Sequence, residues 1–162
     1  MTVHKLHLEE YNDIDYQVIA IHTSLEDYRL AYYINQNLPI ILRKSESSIQ
    51  ISSKEGESQF SRFIFENEEA SVYWNLIQNK NNIVVSSQTV NQGLFAASTN
   101  KFLTKIYFLP EFKKVDYFLK IENAEAMLDI SEIINRLKKI NRISTVYAVD
   151  LENIKSKNNL IF

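Results

Sequence analysis

Three groups of side chains in this 162-residue chain have the types from which chemistry is built. His4 and His7, with Glu9 and Glu10 beside them, are metal-ligand types. On a strand, however, residues three apart face opposite sides and do not converge, so no metal site is expected there. Asp15 and Asp116 are each followed by a tyrosine, Tyr16 and Tyr117. If their two segments pack symmetrically, the carboxylates could meet and do general acid–base work. His22 stands at a strand-to-helix junction, where a helix N-terminus favours anions and an imidazole could assist. No glycine-rich loop precedes that helix, so a structural histidine is the expectation. The chain has no cysteine, which excludes disulfides, thiolate nucleophiles and cysteine-based zinc sites. No spacing matches a known catalytic set. The reading therefore leans away from an enzyme, with no catalytic residue, cofactor or metal assigned.

The elements that would position these residues follow from periodicity. Val3–Leu8 alternates as a short first strand would. Asp15–His22 is nearly continuous in apolar character, as a central strand requires. Thr23 and Ser24 stand three before Glu26 and Asp27, close to the capping-box pattern, and predict a helix start. That helix carries Leu30, Ala31, Ile34 and Leu38 on one face and ends before Pro39. Tyr28, Tyr32 and Tyr33 flank the face and are expected to pack at the sheet margin with wet hydroxyls. A strand is expected from Ile40 to Arg43, with Ser45–Ser53 continuing it or forming another. Lys54–Ser58 reads as a turn. Phe60–Phe65 and Ser71–Gln78 read as a hairpin about Glu66–Glu69. Within it Val72, Trp74 and Leu76 share a face, and a short helix is the alternative for the second arm. Gln78–Asn82 reads as a polar turn before Ile83–Val85.

Phe102–Leu109 supplies another strand. From Val115, apolar Val115, Tyr117, Leu119 and Ile121 alternate with Asp116, Phe118, Lys120 and Glu122, the pattern of a half-buried strand. Asn123 or Asp129 caps a second helix, whose stripe is Ile130, Ile133, Ile134, Leu137 and Ile140. Arg136, Lys138, Lys139 and Arg142 suit its C-terminal dipole. Ser144–Val149 is the last regular strand. Ile14-Asp15-Tyr16 and Val115-Asp116-Tyr117 open two strands, and the helices after them carry Ile34-Asn35 and Ile134-Asn135. The expectation is one domain, residues 1–162, of α+β class. It has a largely antiparallel sheet with two helices on one face and two strand-helix-strand units in ferredoxin-like order, joined by β-hairpins.

The 45% apolar and 23% charged shares are those of a soluble globular chain. The formal net charge of −2 divides unevenly, with 7 basic against 12 acidic residues in 1–100 and 11 against 8 in 101–162. Such a division can steer one copy, or an acidic partner, towards the other half. It lacks the density of Lys and Arg that non-specific nucleic-acid binding uses. No apolar run reaches the roughly 20 residues of a membrane helix, and no signal-peptide pattern opens the chain, so a cytoplasmic location is expected.

The stretch Leu109-Pro110-Glu111-Phe112-Lys113-Lys114-Val115-Asp116-Tyr117 resembles the signature of the IPExxxVDY family, small proteins mainly of Bacteroidetes. Pro110, Glu111, Val115, Asp116 and Tyr117 match; Leu109 stands where the signature has isoleucine. The C-terminal Leu160-Ile161-Phe162 also looks typical of that family. The resemblance implies no substrate and no catalytic residue. Glu111 and Asp116 read as solvent-facing, or as carboxylates that pair and cap locally.

The leading functional expectation is a non-catalytic protein-interaction or assembly module, with a protein partner or a second copy as in a dimer. Residues 81–100 carry no charge, the trend at interface cores. Val90, Leu94 and Phe95 in that stretch, and Leu160, Ile161 and Phe162 at the end, are the candidate partner surface. A small-molecule-sensing regulatory domain is the alternative. Single-stranded RNA binding is the lesser one, hinted at only by Phe118 beside Lys120.

Overall fold

The computed structural model describes residues 15–87, 100–124 and 128–162. In chain order the elements are β1 (Tyr16–Thr23), α1 (Asp27–Asn37), β2 (Arg43–Lys44), β3 (Ile49–Ser53), β4 (Gly56–Phe60), β5 (Arg62–Asn67), β6 (Val72–Gln78), β7 (Lys80–Ser87), β8 (Asn100–Tyr107), β9 (Tyr117–Glu122), α2 (Ile130–Leu137) and β10 (Ile143–Ala148). The expected strand at Val3–Leu8 and the His4–His7 pair lie outside the described residues, as do Val90, Leu94 and Phe95.

Six strands form one antiparallel sheet in the order β10-β1-β9-β6-β5-β2, and β3-β4 and β7-β8 form separate hairpins. β9 lies between β1 and β6, and β1 lies between β9 and β10. The two strand-helix-strand units are thus interleaved, a strand order that the element order by itself leaves open. Both helices lie on one face. There Leu30, Ala31 and Ile34 of α1 and Ile133 and Leu137 of α2 bury against Ile19, Ile21, Trp74, Leu76, Leu119 and Ile121. Each large apolar side chain so buried contributes roughly 1.5–3 kcal/mol before ordering costs. The chain is α+β, as expected.

Local signals account for most element ends. Leu38 leaves helical geometry before Pro39, and its amide still bonds Ile34 O at 2.9 Å. Asp129 caps α2 by accepting from the amides of Ser131 (2.9 Å) and Glu132 (3.3 Å). Asn123 does not cap; it sits at φ 57° and its side-chain amide donates to Ser71 O. The capping box expected at Thr23 or Ser24 is absent. α1 starts at Asp27 behind Glu26, with no side-chain cap on the helix. The Thr23 hydroxyl instead accepts from the Leu25 amide and donates to Arg142 O, tying the end of β1 to the start of β10.

Of the expected second arm Ser71–Gln78, Val72–Gln78 is a strand and not a helix, and Val72, Trp74 and Leu76 all face the helices. Of the expected Ile40–Arg43 strand only Arg43 pairs, together with Lys44 beyond it. Ile40 and Leu42 drop into the core instead, where Asn35 bonds both the amide and the carbonyl of Leu42. Gly56–Ser58 belongs to β4, so only Lys54-Glu55 remains of the expected turn. Of the three flanking tyrosines, Tyr33 packs against the core, while Tyr28 and Tyr32 stay exposed.

The other face of the sheet is covered as well. Tyr16, Val18, Ala20, Ile77 and Phe118 meet Ile49, Phe60, Ile106, Phe108, Leu109, Val149, Ile154 and Leu160. β9 is thus buried on both faces, which corrects its reading as half-buried. Val115 packs with this second cluster, opposite to Tyr117, Leu119 and Ile121, because the chain has not yet entered the strand.

Candidate functional site

The stretch Leu109–Tyr117 connects β8 to β9, which opens at Tyr117, and three of its side chains, Glu111, Asp116 and Tyr117, bond distant segments. Pro110 sits in the first turn of a 3-10 helix, Pro110–Phe112, where its missing amide costs nothing. Glu111 caps the C-terminal segment. Its Oε1 accepts from the amides of Lys155 (2.8 Å) and Ser156 (2.9 Å), and its Oε2 accepts from the Ser156 hydroxyl (3.0 Å). Burial alone would raise the Glu111 carboxyl, but the donors from Ser156 and Lys155 outweigh it and hold the group below its ordinary value of 4.5.

Asp116 joins two distant junctions. Its Oδ2 accepts from the Thr23 amide at the end of β1 (2.9 Å), and its Oδ1 accepts from Lys80 Nζ at the start of β7 (2.6 Å). The Tyr117 hydroxyl donates to Leu25 O (2.8 Å). Burial, then the carboxylates of Asp27, Asp116 and Glu26, push that phenol well above its ordinary range. Glu111 and Asp116 do pair and cap, but with partners 36 to 93 residues away rather than locally, as the sequence suggests.

The hub of this arrangement is Asn79, which sequence reading placed in a polar turn. It is fully buried, the single residue between β6 and β7. Its Oδ1 accepts from the Leu109 amide, and its Nδ2 donates to the carbonyls of Phe112 and Val115, all at 2.9 Å. Its own amide donates to Asp116 O, and its carbonyl accepts from the Phe108 amide. One side chain thus closes both ends of the connector. Nothing in the polar run Gln78-Asn79-Lys80-Asn81-Asn82 distinguishes Asn79 from its neighbours in sequence.

A second polar cluster lies on the same side of the sheet. Lys120 is buried; it pairs with Glu122 and donates to Leu160 O at 2.7 Å. Its ammonium lies over the rings of Tyr16 (5.1 Å) and Phe162 (4.6 Å). The Tyr16 hydroxyl is buried without a hydrogen-bond partner among the described residues, and burial raises its ionisation above the ordinary range. Phe118 and Lys120 are covered, so they offer nucleic acid no stacking surface.

The carboxylate pair does not form. β1 and β9 are antiparallel, with Tyr16 opposite Glu122 and Ile21 opposite Tyr117. Asp15 and Asp116 therefore sit at opposite ends of the sheet, about 20 Å apart at the usual rise per residue. Tyr16 and Tyr117 likewise point to opposite faces. His22 stacks on Tyr147 of β10, with ring centroids 5.7 Å apart. Among the described residues no three metal-ligating side chains cluster, and no helix is long and apolar enough to cross a membrane.

The candidate partner surface is redrawn. Leu160 is buried in the chain's own core, whereas Ile161 and Phe162 beyond it are exposed. The outer half of the β7–β8 hairpin presents Val84 (60% exposed), Phe102 (55%) and Leu103 (76%), with Val84 directly opposite Leu103. On the helix side a cleft of about 350 Å³ opens between the end of α1 and the start of α2. Phe65 and Trp74 line it, and Asp129, Glu132 and Arg136 also contribute. No protein-family model, curated protein or solved structure matches the chain.

Proposed function

We propose that the chain is a non-catalytic protein-interaction module that receives a protein partner on the outer half of the β7–β8 hairpin. The observation that carries this reading is the exposure of Val84, Phe102 and Leu103 beside residues 81–100, a stretch without a charged side chain. A large apolar side chain held in water is unfavourable, and clusters of them mark contact surfaces. The signature carboxylates support the reading from the other side, since both are committed to backbone and side-chain donors within the chain. The test is a photo-crosslinking residue at Leu103 in living cells, with a second at exposed Glu57 as control. A discrete crosslinked species specific to position 103 and lost with Phe102→Asp supports the proposal. Equal labelling from both positions, or none from either, sinks it.

Kinship with the IPExxxVDY proteins and a cytoplasmic location belong to the same proposal. The first rests on the five matching signature positions, and the second is checked by cell fractionation. A second reading, a small-molecule-sensing domain, is favoured by the helix-side cleft. Its volume is at the lower end of ligand sites, roughly 300–1,000 Å³, and Trp74 and Phe65 supply apolar lining beside the ion pair of Arg136 with Glu132. A metabolite panel read by thermal shift tests it, because a ligand of the native state raises the melting temperature. A hit abolished by filling the cleft, as with Ala70→Phe, would favour this reading over the first.

A further inference from the structure

The two edges of the six-stranded sheet are treated differently. At one end stands β2, only two residues long and made of Arg43 and Lys44, a short and charged edge of the kind that resists pairing. At the other end stands β10, Ile143-Ser144-Thr145-Val146-Tyr147-Ala148, without a charge or a proline. Among the described residues it pairs on one side only, with β1. The Val149 amide donates to Val18 O, so Val149 turns its backbone groups inward. By the alternation of an antiparallel ladder, the N–H and C=O of Ala148 and Val146 then point outward. The register shift between His22 and Thr23 sets Ser144 apart, and its hydroxyl donates to His22 O.

We infer that β10 is a dimerisation edge and that its occupant is the β10 of a second copy, antiparallel about a twofold axis through Val146. The outward parity of Val146 and Ala148 restricts the register to one in which residues of equal parity face each other. Centred on Val146, it sets Tyr147 against Thr145 of the second copy, and the ladder ends before Ser144, the residue at the register shift. It also brings the two ends of β10 together across the axis, Arg142 in the turn before the strand of one copy beside Asp150 just after the strand of the other. Arg142 and Asp150 are exposed, and neither has a salt-bridge partner among the described residues. The pairing is self-complementary in charge and backbone, as a twofold interface requires. It extends the sheet and leaves the helices of both copies on the surface. This edge is separate from the β7–β8 hairpin, so failure of either proposal leaves the other standing.

The test is light scattering behind size-exclusion chromatography over a concentration series. The wild-type chain is expected to reach twice its 19.0 kDa mass. Ala148→Pro puts a ring where an outward amide stood, without touching the bond to β1, and is expected to leave a monomer with unchanged circular dichroism. Should that variant misfold, Arg142→Asp supplies the second arm. It sets like charges together at both ends and is expected to weaken the dimer about tenfold or more. Adding Asp150→Arg to it restores opposite charges and should recover the dimer. A wild-type monomer throughout the series overturns the inference. A dimer indifferent to both Ala148→Pro and Arg142→Asp overturns it equally, since the second copy would then sit elsewhere.

Discussion

On the helix side of the sheet, Ile19, Ile21, Trp74, Leu119 and Ile121 meet Leu30, Ile34, Ile133 and Leu137, all from regular elements. On the other side, Val18, Ala20, Ile77 and Phe118 meet Phe60, Phe108, Leu109, Ile154 and Leu160, side chains delivered by hairpins, a connector and a coil. Helices satisfy their own backbone groups, so most of the first layer needs only apolar packing. Where irregular chain enters it, at Leu42 and Leu25, Asn35 and the Tyr117 hydroxyl bond the backbone. Irregular chain brings amides and carbonyls that it cannot satisfy internally. The second layer therefore carries the buried polar groups Asn79 and Lys120, which bond those amides and carbonyls. Leu109, Phe112 and Val115 of the connector into β9 belong to this second layer. Its polar residues are the fasteners that allow irregular chain to cover a sheet.

Breaking a fastener should therefore cost as much as emptying the apolar core. Asn79→Leu strands the Leu109 amide and the carbonyls of Phe112 and Val115, at about 1–3 kcal/mol for each buried group left unpaired. A total loss of about 3–5 kcal/mol in urea unfolding is expected, matching or exceeding Leu119→Ala on the helix side, for which about 2–5 kcal/mol is usual. If Asn79→Leu proves nearly neutral, the contrast between the layers fails.

Lys120→Met keeps the stem and removes the ammonium that Glu122 and Leu160 O share. About 1–3 kcal/mol should be lost, since a buried acceptor and a carboxylate lose their partner. Differential scanning calorimetry would check this, and a stabilised variant would show that the ion was only tolerated.

Glu111→Gln keeps one acceptor but removes the charge, and should cost about 1–2 kcal/mol at neutral pH. Its pH dependence has a defined sign. The folded carboxyl is held below its ordinary value, so the contribution is present above 4.5 and lost as pH falls through the lower folded value. The wild-type chain should therefore lose more stability than Glu111→Gln on acidification through that window. Parallel curves of stability against pH would contradict the assignment.

The smallest effect separates two residues that look alike in sequence. Asn35 bonds Leu42 twice, whereas Asn135 is exposed. Asn35→Ala should cost about 1–2 kcal/mol, and Asn135→Ala should stay within about 0.5 kcal/mol. Equal losses would restore the symmetry that the side chains lack.

These contrasts also mark what was legible in the sequence. Periodicity identified both helices, their buried stripes and the core face of β6, because each reports contacts within one regular element. The Asp129 cap was legible for the same reason. Alternation along β9 placed Leu119 and Ile121 correctly but took Phe118 and Lys120 for a surface. A period of two distinguishes the faces and says nothing of a layer that later covers the second one. The Glu111, Asp116 and Asn79 contacts span 30 to 93 residues and join side chains to irregular backbone. Such contacts have no period, so sequence spacing could not find them. The matched Asp-Tyr pairs misled for a related reason: antiparallel pairing sends the two aspartates to opposite ends of the sheet.

The Leu109–Tyr117 stretch fastens the hairpin-side layer and the C-terminal segment to the sheet. Amide hydrogen exchange of Glu111→Ala against the wild-type chain tests this most directly. Faster exchange is expected at Lys155 and Ser156, with Ile19 and Leu119 of the central strands unchanged. Unaltered protection at Lys155 and Ser156 in a folded Glu111→Ala protein would contradict the claim, and would free Glu111 for some other role.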